Sequence, residues 1–229
     1  MHHKAMLGCA LAACCAMSAH AGGGATLTYF GRSSVKLVGP GGFTVYIDPY
    51  APGDYSAPAD LVLVTHGHSD HNAVKLVTLK AGGRILAPRG AVSGRPFEIV
   101  KEGNVTVAGP VTVRAVAAYN SNHDRASCVG YVIEFGGLTV YHAGDTSYIP
   151  EMASYAAWGI DYALLPVDGY YNMDGAEAGR CAAAVKARFA VAIHSSKGGA
   201  YDAAAAASLA FPGALAPAPG TTIQLAGKP

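Results

Sequence analysis

Four side chains of the kinds that bind metal ions stand close together in the first third of the chain. They are His66, His68, Asp70 and His71. The apolar run Leu61–Val64 stands just before them and predicts a strand buried on both faces. Side chains two positions apart in extended backbone point the same way, so His66 and His68 can reach one ion together. Imidazole suits zinc and similar divalent ions, and the Asp70 carboxylate can face a second ion.

The alternative interpretation of this stretch is a polar turn that happens to be rich in histidine. So many ligand-type residues directly after a buried strand favour the metal site. Thr65–His71 also resembles the His-x-His-x-Asp-His signature of the metallo-β-lactamase superfamily, which in that family lies on the loop after a core strand. The resemblance extends from Thr26 to His194. It is strongest for the compact metal-dependent hydrolases related to ascorbate phosphate lactonase, through Leu164–Pro166 and His142–Thr146.

The resemblance implies an α+β fold, the four-layer αβ/βα sandwich, with metal ligands on loops at one edge of two facing sheets. It also implies seven metal ligands. These are His66, His68 and His123 for one ion, Asp70, His71 and His194 for the other, and Asp145 between the two ions. The implied cofactor is a pair of divalent metal ions, with zinc expected and manganese or iron as alternatives.

Local context supports the three ligands that lie outside the first cluster. His123 stands in the polar stretch Tyr119–Asp124 after a predicted strand, and His194 follows the apolar run Phe189–Ile193. Asp145 follows a predicted strand and Gly144, which permits close approach of the backbone. Two departures from the family pattern are Asp124, where a small residue is expected, and the loop Ser195–Gly199.

Several other residues have two interpretations each. Asp48 either orients a ligand histidine or is a turn carboxylate before proline. His142 is either an orienting partner or a hydrogen-bonded core histidine, with direct metal ligation as a less favoured alternative. Tyr170, Tyr171 and Lys197 either stabilise oxyanion charge or are ordinary loop residues. For Cys128 and Cys181 we expect small buried side chains, not metal ligands.

The implied function is a dinuclear metal-dependent hydrolase acting on a small-molecule ester, lactone or phosphodiester-type substrate. A hydroxide bridging the two ions would be the nucleophile, and Asp70, which would hold the second ion, is the residue expected to be essential for catalysis. The alternatives are a non-catalytic metal-binding protein of the same fold and a β-lactam hydrolase. A di-iron oxygen-reducing relative is disfavoured, because such proteins carry a carboxylate at the position of His68.

Residues 1–21 have the pattern of a secretory signal peptide. A short basic end precedes the apolar run Ala5–Met17, and Ala19–Ala21 fits a small-x-small cleavage site. We therefore expect export to the periplasm or medium and a mature hydrolase domain at 22–229. Lipidation at Cys14 is a less favoured alternative. The segment is too short to span a bilayer.

Removal of this segment leaves a mature chain with balanced charge. Lys+Arg falls from 16 to 15 when Lys4 is lost, which equals the 15 Asp+Glu. Bulk charge therefore gives no reason to expect a nucleic-acid partner. Only Cys128 and Cys181 remain, so there is no disulfide framework. The sequence contains no pattern that predicts an oligomeric state.

The expected elements are mostly short strands separated by glycine turns. The predicted strands are 26–30, 35–39, 43–48, 61–64, 84–87, 98–100, 104–107, 111–116, 129–135, 138–142, 161–166 and 189–193. The first three are expected to pair antiparallel, and 129–142 is expected to form a hairpin. Helices are predicted at 72–80, at 147–158 and after a capping box at Asp174–Glu177.

Overall fold

The computed structural model describes residues 24–227, and these residues form two facing seven-stranded sheets. The first sheet contains β1 (Thr26–Gly31), β2 (Ser34–Val38), β3 (Thr44–Ile47), β4 (Ala59–Leu63), β5 (Leu79–Ala87), β6 (Glu98–Ile99) and β14 (Thr222–Gln224). The second contains β7 (Val105–Ala108), β8 (Val111–Ala117), β9 (Val129–Phe135), β10 (Leu138–His142), β11 (Tyr162–Pro166), β12 (Phe189–Ile193) and β13 (Ala214–Leu215). Their spatial orders are β14-β1-β2-β3-β4-β5-β6 and β13-β12-β11-β10-β9-β8-β7.

Strand direction brings many loops to one edge of the molecule. Strands β3 to β6 run parallel, as do β10 to β13. Strand β1 runs with β3 because both pair antiparallel with β2, and β8 runs with β10 because both pair antiparallel with β9. Side chains that follow the carboxyl ends of these strands can therefore meet, as in other sheets that bind ligands at that edge.

The two sheets enclose the main hydrophobic core. Leu27, Leu37 and Leu61 of the first sheet belong to the same buried cluster as Ile133 and Val140 of the second. The hydroxyl of Tyr131 on β9 donates to the carbonyl of Val64 after β4 at 2.8 Å and joins the sheets beneath the predicted metal loop. The inner faces therefore hold the 65–71 loop at a fixed place relative to the second sheet.

The outer face of the second sheet is covered by helices α1 (Met152–Tyr155), α2 (Gly175–Ala184) and α3 (Ala203–Ala207). Asp174 begins α2 by accepting a hydrogen bond from the Glu177 backbone N–H at 2.7 Å. The Glu177 carboxylate accepts from the Tyr148 backbone N–H instead of returning to Asp174, so only half of the predicted capping box forms. Cys181 is buried on this helix, as expected.

The outer face of the first sheet carries a second apolar cluster that includes Phe30, Tyr46 and Val62. A single 3₁₀ turn at Val74–Leu76 stands where the helix 72–80 was predicted, and that prediction is wrong. Leu79 already belongs to β5, which continues through Gly82 and Gly83. A Cβ on Gly83 would meet the Ala59 carbonyl oxygen, so this glycine permits close strand packing and does not end a helix.

Two other predicted segments differ in detail. Helix α1 is shorter than the predicted 147–158, because only Met152–Tyr155 and the 3₁₀ turn Ala156–Trp158 are helical. The short strand β13 lies in the stretch 212–219, rich in alanine and proline, where no strand was predicted. The α+β sandwich is confirmed, as are the predicted strands.

None of the helices in residues 24–227 has the length and apolar character needed to traverse a bilayer. The predicted signal peptide lies outside the described residues.

Candidate metal centre

All seven predicted ligands gather at the carboxyl edge of the strands. Their ligand atoms form three overlapping groups, within each of which every atom lies within 4.8 Å of the others. The groups are His66–His68–His123, His66–His71–Asp145 and Asp70–His71–His194. The first group matches the expected set for one ion, and the third matches the expected set for the other.

Asp145 stands at the centre of the cluster. Its Oδ2 lies 3.3 Å from His123 Nε2, 3.5 Å from His71 Nε2 and 3.5 Å from His194 Nε2. Gly144 precedes it with a φ of 64°, and a Cβ there would meet the Val129 carbonyl oxygen and Thr65. Glycine is therefore required for the turn that aims Asp145 inward.

The Asp48 carboxylate fixes the orientation of two of the histidines. Its Oδ2 accepts from His71 Nδ1 at 2.7 Å and from the Thr65 hydroxyl at 2.6 Å. Because the Thr65 hydroxyl donates its proton to Asp48, its oxygen accepts from His66 Nδ1 at 3.0 Å. Both histidines therefore present Nε2 to the cluster, and Asp48 is an orienting partner, not a turn carboxylate.

Two further histidines have orienting partners of their own. Asn120 Oδ1 accepts from His123 Nδ1 at 2.9 Å, and Asp168 Oδ2 lies 3.1 Å from His194 Nδ1. His68 differs, because its Nδ1 faces His66 Nε2 at 3.0 Å. His66, His71 and His123 are thus hydrogen-bonded at Nδ1 with Nε2 directed inward, and His194 has its Nδ1 beside the Asp168 carboxylate. His68 directs Nδ1 inward.

Burial and charge determine how the cluster holds protons. Burial, with a smaller effect of His71, lowers the pKa of His66 to about 2. Burial also opposes charge on His71 and His194, but the neighbouring carboxylates together outweigh it. Asp145 and Asp48 raise the pKa of His71 well above its usual range, and Asp145, Asp168 and Asp70 raise the pKa of His194 to about 9. Burial raises the pKa of Asp145, but His194 and His71 outweigh that effect and hold it well below its usual range. The carboxylates therefore require nearby positive charge.

The donor set fits divalent metal ions. His71 Nε2 and Asp145 Oδ1 are buried and have no hydrogen-bond partner among the described residues. His71 Nε2 lies 3.5 Å from the other carboxylate oxygen of Asp145, Oδ2. Within residues 24–227, the carboxylates of Asp48, Asp70, Asp145 and Asp168 outnumber the guanidinium groups in contact with the cluster, of which Arg32 supplies one. Metal ions would satisfy the unpartnered atoms and would take the place of the protons on His71 and His194.

Backbone strain is concentrated at the same place. Among the described residues that are not glycine, Arg32, Asp48, Lys186 and His194 have positive φ. Three of these belong to the cluster or contact it, and the Arg32 carbonyl accepts from the His194 backbone N–H at 2.7 Å. Such conformations are unfavourable for residues with a Cβ and persist where the surrounding structure fixes them, often at functional sites.

The remaining candidate residues lie outside the ligand groups. His142 Nε2 donates to the Ser33 carbonyl at 3.0 Å, and its Nδ1 accepts from the Gly144 N–H, so it is a hydrogen-bonded core histidine. Cys128 is buried beside Ser127, and burial raises the pKa of its thiol to about 11. Tyr170 and Tyr171 are exposed, and the Lys197 ammonium lies 3.6 Å from the centre of the Tyr170 ring.

A cavity of about 420 Å³ opens directly over the cluster. Asp70, Asp145, His123 and His194 form part of its floor, and the wall includes Arg32, Tyr50, Asn122, Tyr171 and Lys197. Arg32, Thr65, Asn120 and Asp168 also belong to the site, although they were not predicted from the sequence. Each lies within three residues of a strand end or a predicted ligand, and that position is the signal that would have identified them.

Comparisons with known proteins agree with this geometry. The sequence profile described as "Beta-lactamase superfamily domain" matches residues 26–194. A protein of Nitratidesulfovibrio vulgaris described as a UPF0173 metal-dependent hydrolase is 34% identical over 190 residues, covering 73% of this chain and 79% of the relative. A UPF0173 metal-dependent hydrolase of Methanoregula boonei is 36% identical over 183 residues, covering 73% and 81%.

A solved structure shows the same fold. Igni18, described as a metallo hydrolase from the hyperthermophilic archaeon Ignicoccus hospitalis, superposes with a TM-score of 0.69 at 24% identity, covering 89% of this chain and 99% of Igni18.

Proposed function

Because this chain belongs to the β-lactamase superfamily, we propose that it is a dinuclear metal-dependent hydrolase of small-molecule ester, lactone or phosphodiester-type substrates. One observation carries the proposal. Asp145 Oδ2 lies within 3.5 Å of the Nε2 atoms of three histidines, and a cavity opens over this cluster. The relatives described as metal-dependent hydrolases support the same reaction class.

The residues divide into two metal sites that share Asp145. His66, His68 and His123 would hold one ion, and Asp70, His71 and His194 would hold the other. Zinc fits the imidazole-rich set best, with manganese and iron as alternatives. Two ions bound there would lower the pKa of a shared water to supply hydroxide as nucleophile and would polarise the scissile group.

Three features of the protein side chains favour metal binding and catalysis at this cluster. Asp48, Asn120 and Asp168 fix the imidazole rings, so little reorganisation is needed when a metal ion binds. Most of the ligand side chains are buried, which strengthens electrostatic interactions at the cluster. Asp70 is 25% exposed and faces the cavity, so the second ion would stand where a substrate enters.

Metal content is the first test of the proposal. Elemental analysis of protein purified without chelators, before and after addition of zinc or manganese, should reach two equivalents per chain. At most one equivalent after addition would contradict the dinuclear site.

Turnover is the second test and distinguishes an enzyme from a metal-binding protein of the same fold. The metal-loaded protein is assayed on lactones, phosphodiesters, thioesters and β-lactams. With the best substrate, Asp70→Asn should lower turnover by orders of magnitude, because it keeps the shape of the side chain but removes its charge. Unchanged turnover with two metals still bound would exclude Asp70 from the mechanism. Two bound metals with no turnover on any substrate would favour the non-catalytic alternative.

A further inference from the structure

The cavity wall carries positive charge that the metal centre does not use. Arg32 and Lys197 both line the cavity, together with Asp70 and His194. The Arg32 guanidinium lies 3.8 Å from the Asp70 carboxylate, which partly offsets its charge. Lys197 forms no ion pair with any residue in 24–227 and contacts only the ring face of Tyr170 among charged or aromatic groups. One ammonium group is therefore free to pair with a ligand.

The loop that carries Lys197 is held in place before any ligand arrives. Arg32 Nη1 donates to the Ser196 carbonyl at 2.6 Å, and the Ser196 hydroxyl accepts from the Gly199 N–H at 2.9 Å. The Ser195 hydroxyl accepts from the Asp202 N–H at 2.9 Å, which fixes the far side of the turn. Lys197 thus stands at the tip of an ordered turn directly after His194.

The neighbouring loop at Asp168–Tyr171 is ordered in the same way. Asp168 Oδ1 accepts from the backbone N–H groups of Tyr170 and Tyr171 at 2.8 and 2.6 Å, and its Oδ2 lies 3.1 Å from His194 Nδ1. The Lys197 ammonium rests on the Tyr170 ring, 3.6 Å from its centre, so the two loops meet at this contact. His194 is therefore linked to both loops at the rim.

We propose that Lys197 is a specificity-determining residue that binds a carboxylate on the substrate, away from the scissile bond. This inference rests on the proposed function, because it assigns the scissile group to the metal centre and a separate anionic group to the rim. A carboxylate carries one negative charge, which one free ammonium balances. A phosphate monoester carries about −1.5 to −2 near neutral pH and would leave charge unbalanced beside Asp70.

Binding of inert ligands tests the proposal without relying on turnover. Succinamate has one carboxylate, and succinamide is its neutral analogue. Calorimetric titration of zinc-loaded protein should show that succinamate binds about tenfold more tightly than succinamide. Lys197→Ala should abolish that preference, and Lys197→Arg should retain most of it. Lys101→Ala, which removes an exposed lysine far along the chain from the cavity residues, should leave it unchanged.

These measurements distinguish a failure of carboxylate binding at Lys197 from a failure of the metal-dependent hydrolase proposal. Zinc content is measured on the same samples, so loss of metal and loss of carboxylate preference are independent readings. An equal affinity of wild type for both ligands, or a preference that persists in Lys197→Ala, would overturn the proposal. Binding of inorganic phosphate that depends on Lys197, without binding of succinamate, would also overturn it in favour of a phosphate site.

Discussion

Thr65 connects one carboxylate to two histidines of the candidate metal centre. Its hydroxyl donates to Asp48 Oδ2 and accepts from His66 Nδ1, while Asp48 Oδ2 also accepts from His71 Nδ1. A single hydroxyl thus determines which nitrogen of His66 carries hydrogen, and so which one has a lone pair for a metal ion. The partners of ligand histidines commonly affect metal affinity in this way.

Replacing this hydroxyl should weaken metal binding without unfolding the protein. Thr65→Val keeps the shape of the side chain but leaves His66 Nδ1 and Asp48 each without one hydrogen bond. We expect zinc affinity to fall about 10–100-fold and the free energy of unfolding to fall by about 1–3 kcal/mol. Competition with a chromogenic chelator measures the affinity, and thermal unfolding measures the stability.

Thr65→Ser is the matched control, because it keeps the hydroxyl and loses only a methyl group. Its zinc affinity should stay close to that of the wild type. If Thr65→Val binds zinc as tightly as Thr65→Ser does, the hydroxyl does not control His66.

The sequence contained the metal-binding side chains but not all of their partners. The seven predicted ligands share residue types and spacing that only metal chemistry explains easily, and the structure brings all seven together. Thr65, Asn120 and Asp168 are ordinary polar residues whose role depends on three-dimensional contacts with histidines. For Asp48 the sequence left two interpretations open, and its hydrogen bond to His71 decides between them.

At the scale of elements, the strands were predictable because short runs of β-branched and apolar residues alternate with glycine turns. The predicted helix 72–80 failed because its apolar residues do not share one face. Val74 and Val77 are buried, but Leu76 is 46% exposed and Leu79 pairs with Ala59 as part of β5. The spacing of Val74, Leu76, Val77 and Leu79 is therefore compatible with both a helix and a strand, and pairing with β4 places Leu79 in a strand.

Helix α2 provides a test of close packing between elements. Gly179 lies inside this helix, where alanine normally favours folding by about 1 kcal/mol. A Cβ at this position would collide with the backbone carbonyl of Ala210, which is not a flexible side chain. We expect Gly179→Ala to lower the free energy of unfolding by about 1–3 kcal/mol, because overpacking outweighs helix propensity.

Urea unfolding measures this difference, with an unchanged m-value as the sign that the same transition is observed. Arg180→Ala is the control, because Arg180 is exposed on the same helix and should change stability by about 0.5 kcal/mol or less. A Gly179→Ala variant more stable than wild type would show that the segment at Ala210 moves away readily.

At the scale of the whole molecule, the chain combines the sandwich with an N-terminal segment that we propose to be an export signal. The basic end, the apolar run Ala5–Met17 and the small residues Ala19 and Ala21 motivate the proposal. The intact mass of protein recovered from a periplasmic fraction should correspond to a start at Gly22. A diacylated start at Cys14 would show that the signal is of the lipoprotein class, and a retained Met1 would contradict export by cleavage.

The metal centre also joins the two sheets, so metal binding should stabilise the entire fold. His66, Asp70 and His71 follow β4 of the first sheet, whereas His123, Asp145 and His194 follow strands of the second. Without metal ions the buried carboxylates depend on protonated histidines, and an ion that binds only the folded chain adds stability by mass action. The gain is about 2.7 kcal/mol when free zinc is about 100-fold above its dissociation constant.

For a domain of this size that gain corresponds to a rise in melting temperature of roughly 5–10 °C. We therefore expect unfolding followed by circular dichroism to occur about that much higher in zinc than in excess chelator. The comparison is repeated with Asp145→Asn, which removes the charge shared between the two groups of ligands. Its zinc-dependent shift should fall to a small fraction of the wild-type shift, whatever its melting temperature in chelator. Equal melting temperatures of wild type with zinc and with chelator would mean that the two sheets are held together without the metal centre.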